Sequence, residues 1–131
     1  ALNYQESASR SYTDATALQA AKRYGSSDHL YGLAAECALK AILEGAGLIT
    51  TNPPQKPYKV HANKIWQEYC TQMGMRKDLP TLGQNPFVGW DVNHRYEEDS
   101  TFTASRLVVH ELGAVEALIA LEEARTTGIV T

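Results

Sequence analysis

Apolar positions recur at helical spacing in four stretches of the chain. The strongest is Leu30 to Leu43. There Leu30, Leu33, Ala34, Cys37, Ala38, Ala41 and Ile42 repeat with a helical period, and Leu39 and Leu43 widen the stripe. A helix this apolar belongs in the middle of a bundle. Ahead of it, Ser9 to Tyr24 reads as a first helix with Ala17, Leu18, Ala21 and Tyr24 inward and Asp14 on the same face. Gly25-Ser26-Ser27 breaks it, Ser26 or Ser27 caps the next helix, and Asp28 suits the positive end of that helix's dipole. Gly45-Ala46-Gly47 stops the second helix. Pro53, Pro54 and Pro57 make 50–58 a crossing loop.

A third helix is predicted from near Ala62 to before Gly74, with Ile65, Trp66, Tyr69, Cys70 and Met73 inward. From Arg76 to Ser100 the breakers Pro80, Gly83, Pro86 and Gly89 give an irregular connection with one short helical turn, pinned by Leu79, Leu82, Phe87, Val88 and Trp90. The fourth helix runs from about Thr101 to Thr127, capped by Asp99, Ser100 or Thr101. Ala104, Leu107, Val108, Leu112, Val115, Leu118, Ile119 and Glu122 sit at helical spacing.

This pattern predicts an all-α fold, an antiparallel four- to five-helix bundle forming a single domain over residues 1–131. The second helix is expected to be the most buried, with Leu33, Cys37 and Ile42 almost fully enclosed. Val109, Ala117 and Leu121 lie off the main stripe of the last helix. Such an extra apolar strip suggests a symmetric partner, hence a homodimer.

Composition adds little. The chain has 131 residues, is 44% hydrophobic and carries a net charge of −3, so no global field draws nucleic acid. Lys56, Lys59, Lys64, Arg76 and Lys77 are either a local basic patch or scattered solvated side chains. Cys37 and Cys70 fall on core faces and read as buried thiols. The N-terminus lacks a signal peptide and no segment is apolar enough to span a bilayer, so the expected location is the cytoplasm. There is no Cys-x-x-Cys, His-Glu-x-x-His, EF-hand, phosphate loop or nucleophile elbow, so no metal or cofactor is expected.

Three constellations carry candidate chemistry. Glu36 and Lys40 lie one turn apart on the second helix and can satisfy each other. His94, Arg95 and Tyr96 stand in the polar segment Trp90 to Asp99, where an Arg fork and a His suit a phosphate-bearing ligand. The acids Glu97, Glu98 and Asp99 make a solvated loop the competing reading. Arg106 and His110 share a face of the fourth helix; such a pair serves metal-independent RNA cleavage, with His taking the 2′-hydroxyl proton and Arg stabilising the phosphorane. The competing reading is a polar helix face on which His110 meets the neighbouring turn.

Ala35-Glu36-x-Ala38-Leu39-Lys40-Ala41 resembles the second helix of HEPN domains. Asp14-Ala15-x-x-Leu18, His61 ahead of Ile65-Trp66, and Arg95-Tyr96 before the last helix are similar to that family's other motifs. The resemblance implies a helical nucleotide-binding or ribonuclease-like module. It also implies a homodimer with the last helices near its axis, and association with nucleotidyltransferase-like or antitoxin partners. The family's ribonucleases carry an Arg followed after four to six residues by His; only three residues separate Arg106 from His110, and His94 precedes Arg95. The leading expectation is therefore a module that binds a nucleotide, RNA or a protein partner through Arg95, Tyr96, His94, Glu36 and Lys40. The alternatives are a divergent ribonuclease or toxin of a toxin-antitoxin or defence system, with Arg106, His110 and His94 catalytic, and a purely structural helical scaffold.

Overall fold

A computed structural model describes residues 3–49, 60–91, 93–94 and 103–131. The described residues form four helices and no strand: α1 (Tyr4–Ala20), α2 (Tyr24–Gly45), α3 (Ala62–Met75) and α4 (Ala104–Thr126). The all-α class read from periodicity is correct.

Helix α1 begins five residues earlier than its pattern indicates, because the Asn3 side chain accepts the Glu6 amide at 3.0 Å and caps it. It ends at the turn Ala21–Arg23, where Lys22 has a φ of 62°. Gly25-Ser26-Ser27 is therefore not the break; it forms the first turn of α2. Small size at Gly25 and Ser27, both buried, lets α1 approach closely, and the Ser27 hydroxyl donates to the Ala15 carbonyl at 2.7 Å. The inward face of α1 is Ala8, Ser11 and Ala15; Asp14, Ala17 and Ala21 are exposed.

Helix α2 is the core, packed by α1, α4 and α3. Cys37 and Ile42 are buried as expected, but Leu33 is only half-buried. The antiparallel arrangement holds for α1 and α2, where Lys40 late in α2 lies over the ring of Tyr4 at the start of α1. It does not hold for the others. His110 meets Asp28 near the start of both α4 and α2, while Ile129, just past α4, lies against Gly45 at the end of α2. His61 meets Glu36, and Arg76 past the end of α3 donates to the Ala46 carbonyl. Thus α2, α3 and α4 share one sense. The long connections before α3 and α4 return the chain to the starting end each time, which short hairpin loops cannot do.

The irregular stretch after α3 is pinned by Leu79, Leu82, Phe87 and Trp90, all buried, whereas Val88 is 69% exposed. Glycine permits close approaches at Gly45, beside the Ile129 carbonyl, and at two positions facing this stretch. A Cβ on Gly32 would overlap the Trp90 indole, and one on Gly113 would lie 2.5 Å from Pro86 and 2.9 Å from Phe87.

Helix α4 is capped by Thr103, which accepts the Arg106 amide at 3.2 Å. The expected caps Asp99, Ser100 and Thr101 lie outside the described residues. Its core face is Leu107, His110, Gly113, Ala114, Ala117, Ala120, Leu121 and Ala124. The expected stripe is wrong by nearly half a turn of the helix. Val108, Leu112 and Ile119 point outward, Glu122 and Ala104 are exposed, and Ala117 and Leu121, assigned to the partner side, face α2 or its neighbours. Alanine and glycine face the crowded core because they let backbones come close; the bulky aliphatics are left outside.

Candidate functional site

At the centre of α2, Glu36 and Lys40 are 6% and 4% exposed. The Lys40 ammonium donates to Glu36 Oε2 at 2.9 Å. Helical spacing brings them together, and burial strengthens the pair by excluding water. The other carboxylate oxygen, Oε1, lies 3.1 Å from Nδ1 of His61, whose side chain is 55% exposed. An ionised carboxylate at Nδ1 holds the proton on that nitrogen and turns Nε2 away from the pair. Glu36 thus reaches from the core to orient a surface imidazole.

His61 stands at the N-terminal end of α3, where no side chain caps the helix. Together with Val60, Asn63, Lys64, Trp90, Asp91 and Asn93 it lines a cleft of about 410 Å³. That is within the size of small-ligand clefts, roughly 300–1,000 Å³. The donors it offers are the His61 imidazole, the Lys64 ammonium and the Asn93 carboxamide, set beside the Asp91 carboxylate, while the Asn63 carboxamide donates to the Val88 carbonyl at 3.4 Å; the three donors suit phosphate or carboxylate oxygens. Trp90 supplies an apolar wall; its indole N–H is committed to the Asp28 carbonyl at 3.3 Å and its ring stacks on His29. Asn85 ties the far side together by donating to the Asn63 side chain at 2.7 Å.

The segment expected to carry phosphate chemistry runs directly on from this cleft. Arg95 and Tyr96 themselves lie outside the described residues, and so does any contact they make with Glu36. His94 Nδ1 receives the Asp91 amide at 3.2 Å and the Arg106 guanidinium at 2.6 Å. Two donors on one nitrogen require its lone pair, so the neutral ring carries its proton on Nε2.

Arg106 and His110 do share a helix face, but different partners claim them. Arg106 turns to His94. His110 turns inward: its Nδ1 lies 2.6 Å from Asp28 Oδ1, and its ring stacks on Phe87 at 5.3 Å between centroids. The reading of His110 as part of a polar surface face is corrected, since the residue is 5% exposed and Asp28 fully buried. Asp28 Oδ2 has no hydrogen-bond partner among the described residues. Asp28, read from sequence as a helix-dipole acid, is instead a core brace between α2 and α4.

Sequence reasoning did not single out Asn63, and it named Asp28, His61 and Lys64 in other roles: a helix-dipole acid, part of the family resemblance and part of a possible basic patch. For Asp28 a signal existed: it falls on the same inward stripe as Tyr31, Ala35, Leu39 and Ile42. His110 likewise falls on the stripe of Leu107, Ala114 and Leu121. For His61 the signal was its place ahead of Ile65-Trp66, which carried the family resemblance but did not link it to Glu36.

Burial raises the Cys37 thiol to about 12, with the Glu36 charge adding to the effect. Cys70, half-buried, is raised by burial as well. Both cysteines are free thiols. Among the described residues no His, Cys, Asp and Glu side chains gather into a metal-binding group, and no helix is long and apolar enough to cross a membrane. No protein-family model, no curated protein and no solved structure matches the chain.

Proposed function

We propose that the protein is a HEPN-like helical module that binds a nucleotide, or a phosphate group of RNA, in the cleft between the head of α3 and the Trp90–His94 segment. The observation that supports this reading is His61: an exposed imidazole fixed by a buried Glu36–Lys40 pair and opening on a cleft of ligand size. Structural braces are usually buried at both ends. This one is buried at one end and presented to solvent at the other. In this reading Lys64 meets phosphate oxygens, His61 donates to them, and Arg95 and Tyr96, next in the chain after His94 and outside the described residues, are the further ligand-binding candidates. Glu36 and Lys40 hold His61 and do not touch the ligand.

The cleavage alternative uses Arg106, His110 and His94. The burial of His110 beneath Phe87, with Asp28 on its Nδ1, favours binding without cleavage, because a general base must reach the proton it takes. Association with a partner belongs to the same reading, whether a second copy or a nucleotidyltransferase-like or antitoxin protein.

The test is titration of labelled nucleotides and a short RNA into the wild type, His61→Gln, Lys64→Gln and Arg95→Ala, at low and high salt. Folded variants that bind several-fold more weakly support the cleft. Folded variants indistinguishable from the wild type refute it.

A further inference from the structure

The face of α4 turned away from the core is apolar along its length. Val108, Leu112, Val115 and Ile119 follow one another at alternating steps of four and three residues. Val108 is 44%, Leu112 61% and Ile119 64% exposed. This spacing draws a seam along one side of the helix, opposite the stripe of His110, Ala114, Ala117 and Leu121 that packs inward. Near its C-terminal half the seam opens into a groove of about 230 Å³ lined by Tyr12, Val115, Leu118, Ile119 and Glu122. The groove has room for one large apolar side chain.

Among the described residues the charges beside this seam are mostly carboxylates. Glu111, Glu116, Glu122 and Glu123 flank the seam. Arg106 turns to His94; Arg125 donates to Gln5 and pairs with Glu122 at 2.7 Å, and Glu116 accepts the Gly83 amide, so the balance of charge beside the seam stays negative through Glu111, Glu116 and Glu123. A second copy would bring the same seam, whose flanks among the described residues are again net acidic. An apolar ridge between rows of carboxylates is instead complementary to a helix with an apolar stripe between rows of Lys or Arg.

We propose that the outer face of α4 docks a basic amphipathic helix of another protein, with one large apolar residue of that helix seated in the Tyr12–Ile119 groove. The mode is helix-in-groove recognition: apolar anchors at three- and four-residue steps supply the contact and the carboxylates set the partner's charge. It does not depend on the ligand cleft, which lies at the head of α3.

The test uses three labelled helical peptides: one with Leu at seam spacing flanked by Lys, one with the same Leu positions flanked by Glu, and one with the Lys positions kept and the Leu stripe replaced by Ser. Binding is read by fluorescence anisotropy with the whole chain, alongside light scattering of the protein alone. The expected result is that the Leu/Lys peptide binds at least tenfold more tightly than either control. The affinity should fall with salt, and Leu112→Glu or Ile119→Glu should weaken it at least tenfold. Both substituted positions are exposed, so circular dichroism melts should match the wild type. Equal binding of the Leu/Lys and Ser/Lys peptides overturns the proposal, as does binding that ignores Leu112→Glu. A dimer in light scattering that Leu112→Glu dissociates overturns it too, in favour of a second copy on this face.

Discussion

Glu36 holds His61 at 3.1 Å through one carboxylate oxygen while its other oxygen binds Lys40 at 2.9 Å, so a buried ion pair in the centre of the bundle ends on an exposed imidazole. Lys40 also lies over the Tyr4 ring, 5.8 Å from its centroid. Removing one leaves a charge in a site almost closed to water.

Stability should therefore respond unequally to the members of this chain. Glu36→Ala removes the carboxylate that binds the buried Lys40 ammonium, at an expected cost of roughly 3–5 kcal/mol. The double change Glu36→Leu with Lys40→Met removes both charges and should cost much less. His61→Gln, at the exposed end, should change stability little. Urea unfolding of the variants checks this order; a cost for Glu36→Ala no greater than that for His61→Gln would sink the buried-pair account.

Asp28 and His110 predict a second stability effect. His110→Ala strips a fully buried carboxylate of the hydrogen bond it makes among the described residues and opens a space against Phe87. A loss of about 2–5 kcal/mol is expected. If His110 were instead a surface residue serving catalysis, the loss would stay within about 0.5 kcal/mol. Thermal and urea melts distinguish the two.

Gly32→Ala tests the closest helix-to-loop contact. Alanine gains about 1 kcal/mol of helix propensity over glycine. Against that, its methyl group would occupy the space of the Trp90 indole, and overpacking costs roughly 1–3 kcal/mol. The steric cost should win, with a lower melting temperature and a shifted tryptophan emission. Gly74→Ala, where a Cβ meets nothing, should be neutral or stabilising.

The class of the fold was legible because helical periodicity survives crude reading: α2, α3 and the extent of α4 all follow from it. The orientation of α4 was not. Summed hydrophobicity favours Val108, Leu112 and Ile119 as core, yet the helix turns Gly113, Ala114, Ala117 and Ala120 inward, because small side chains permit the closest packing on α2. The direction of α3 and α4 was hidden for a different reason, since connection length alone does not say to which end of the bundle a chain returns. At the site, Glu36 and Lys40 were readable from helical spacing. Their third member, His61, is joined to them only by tertiary structure, as is Asp28 to His110.

Alkaline pH should unfold the protein through its buried acids. Burial raises Cys37 from 9.0 to about 12 and Tyr31 from 10.0 to about 12, with Glu111 and Tyr12 adding to the latter. Tyr69 is raised in the same way. A raised pKa means that the folded state keeps its proton after the unfolded state has lost it. Their contribution is complete below about pH 9 and is lost progressively as pH climbs toward 12, by up to about 1.4 kcal/mol per unit for each group. Urea midpoints measured from pH 8 to pH 11 should fall with a steepening slope; a flat profile would contradict the burial of these groups.

The most direct test of the ligand cleft is a residue-resolved titration of the folded chain. With ¹⁵N-labelled protein, a nucleoside monophosphate and a short RNA should shift the His61 imidazole and the amides of Asn63, Lys64 and Asn93 together, and saturate. The buried His110 should stay in place. In His61→Gln the remaining cleft shifts should need several-fold more ligand. Shifts confined to other surfaces, or none at millimolar ligand, would contradict the assignment of this cleft as a nucleotide or RNA phosphate site and leave the His61–Glu36–Lys40 chain as a brace.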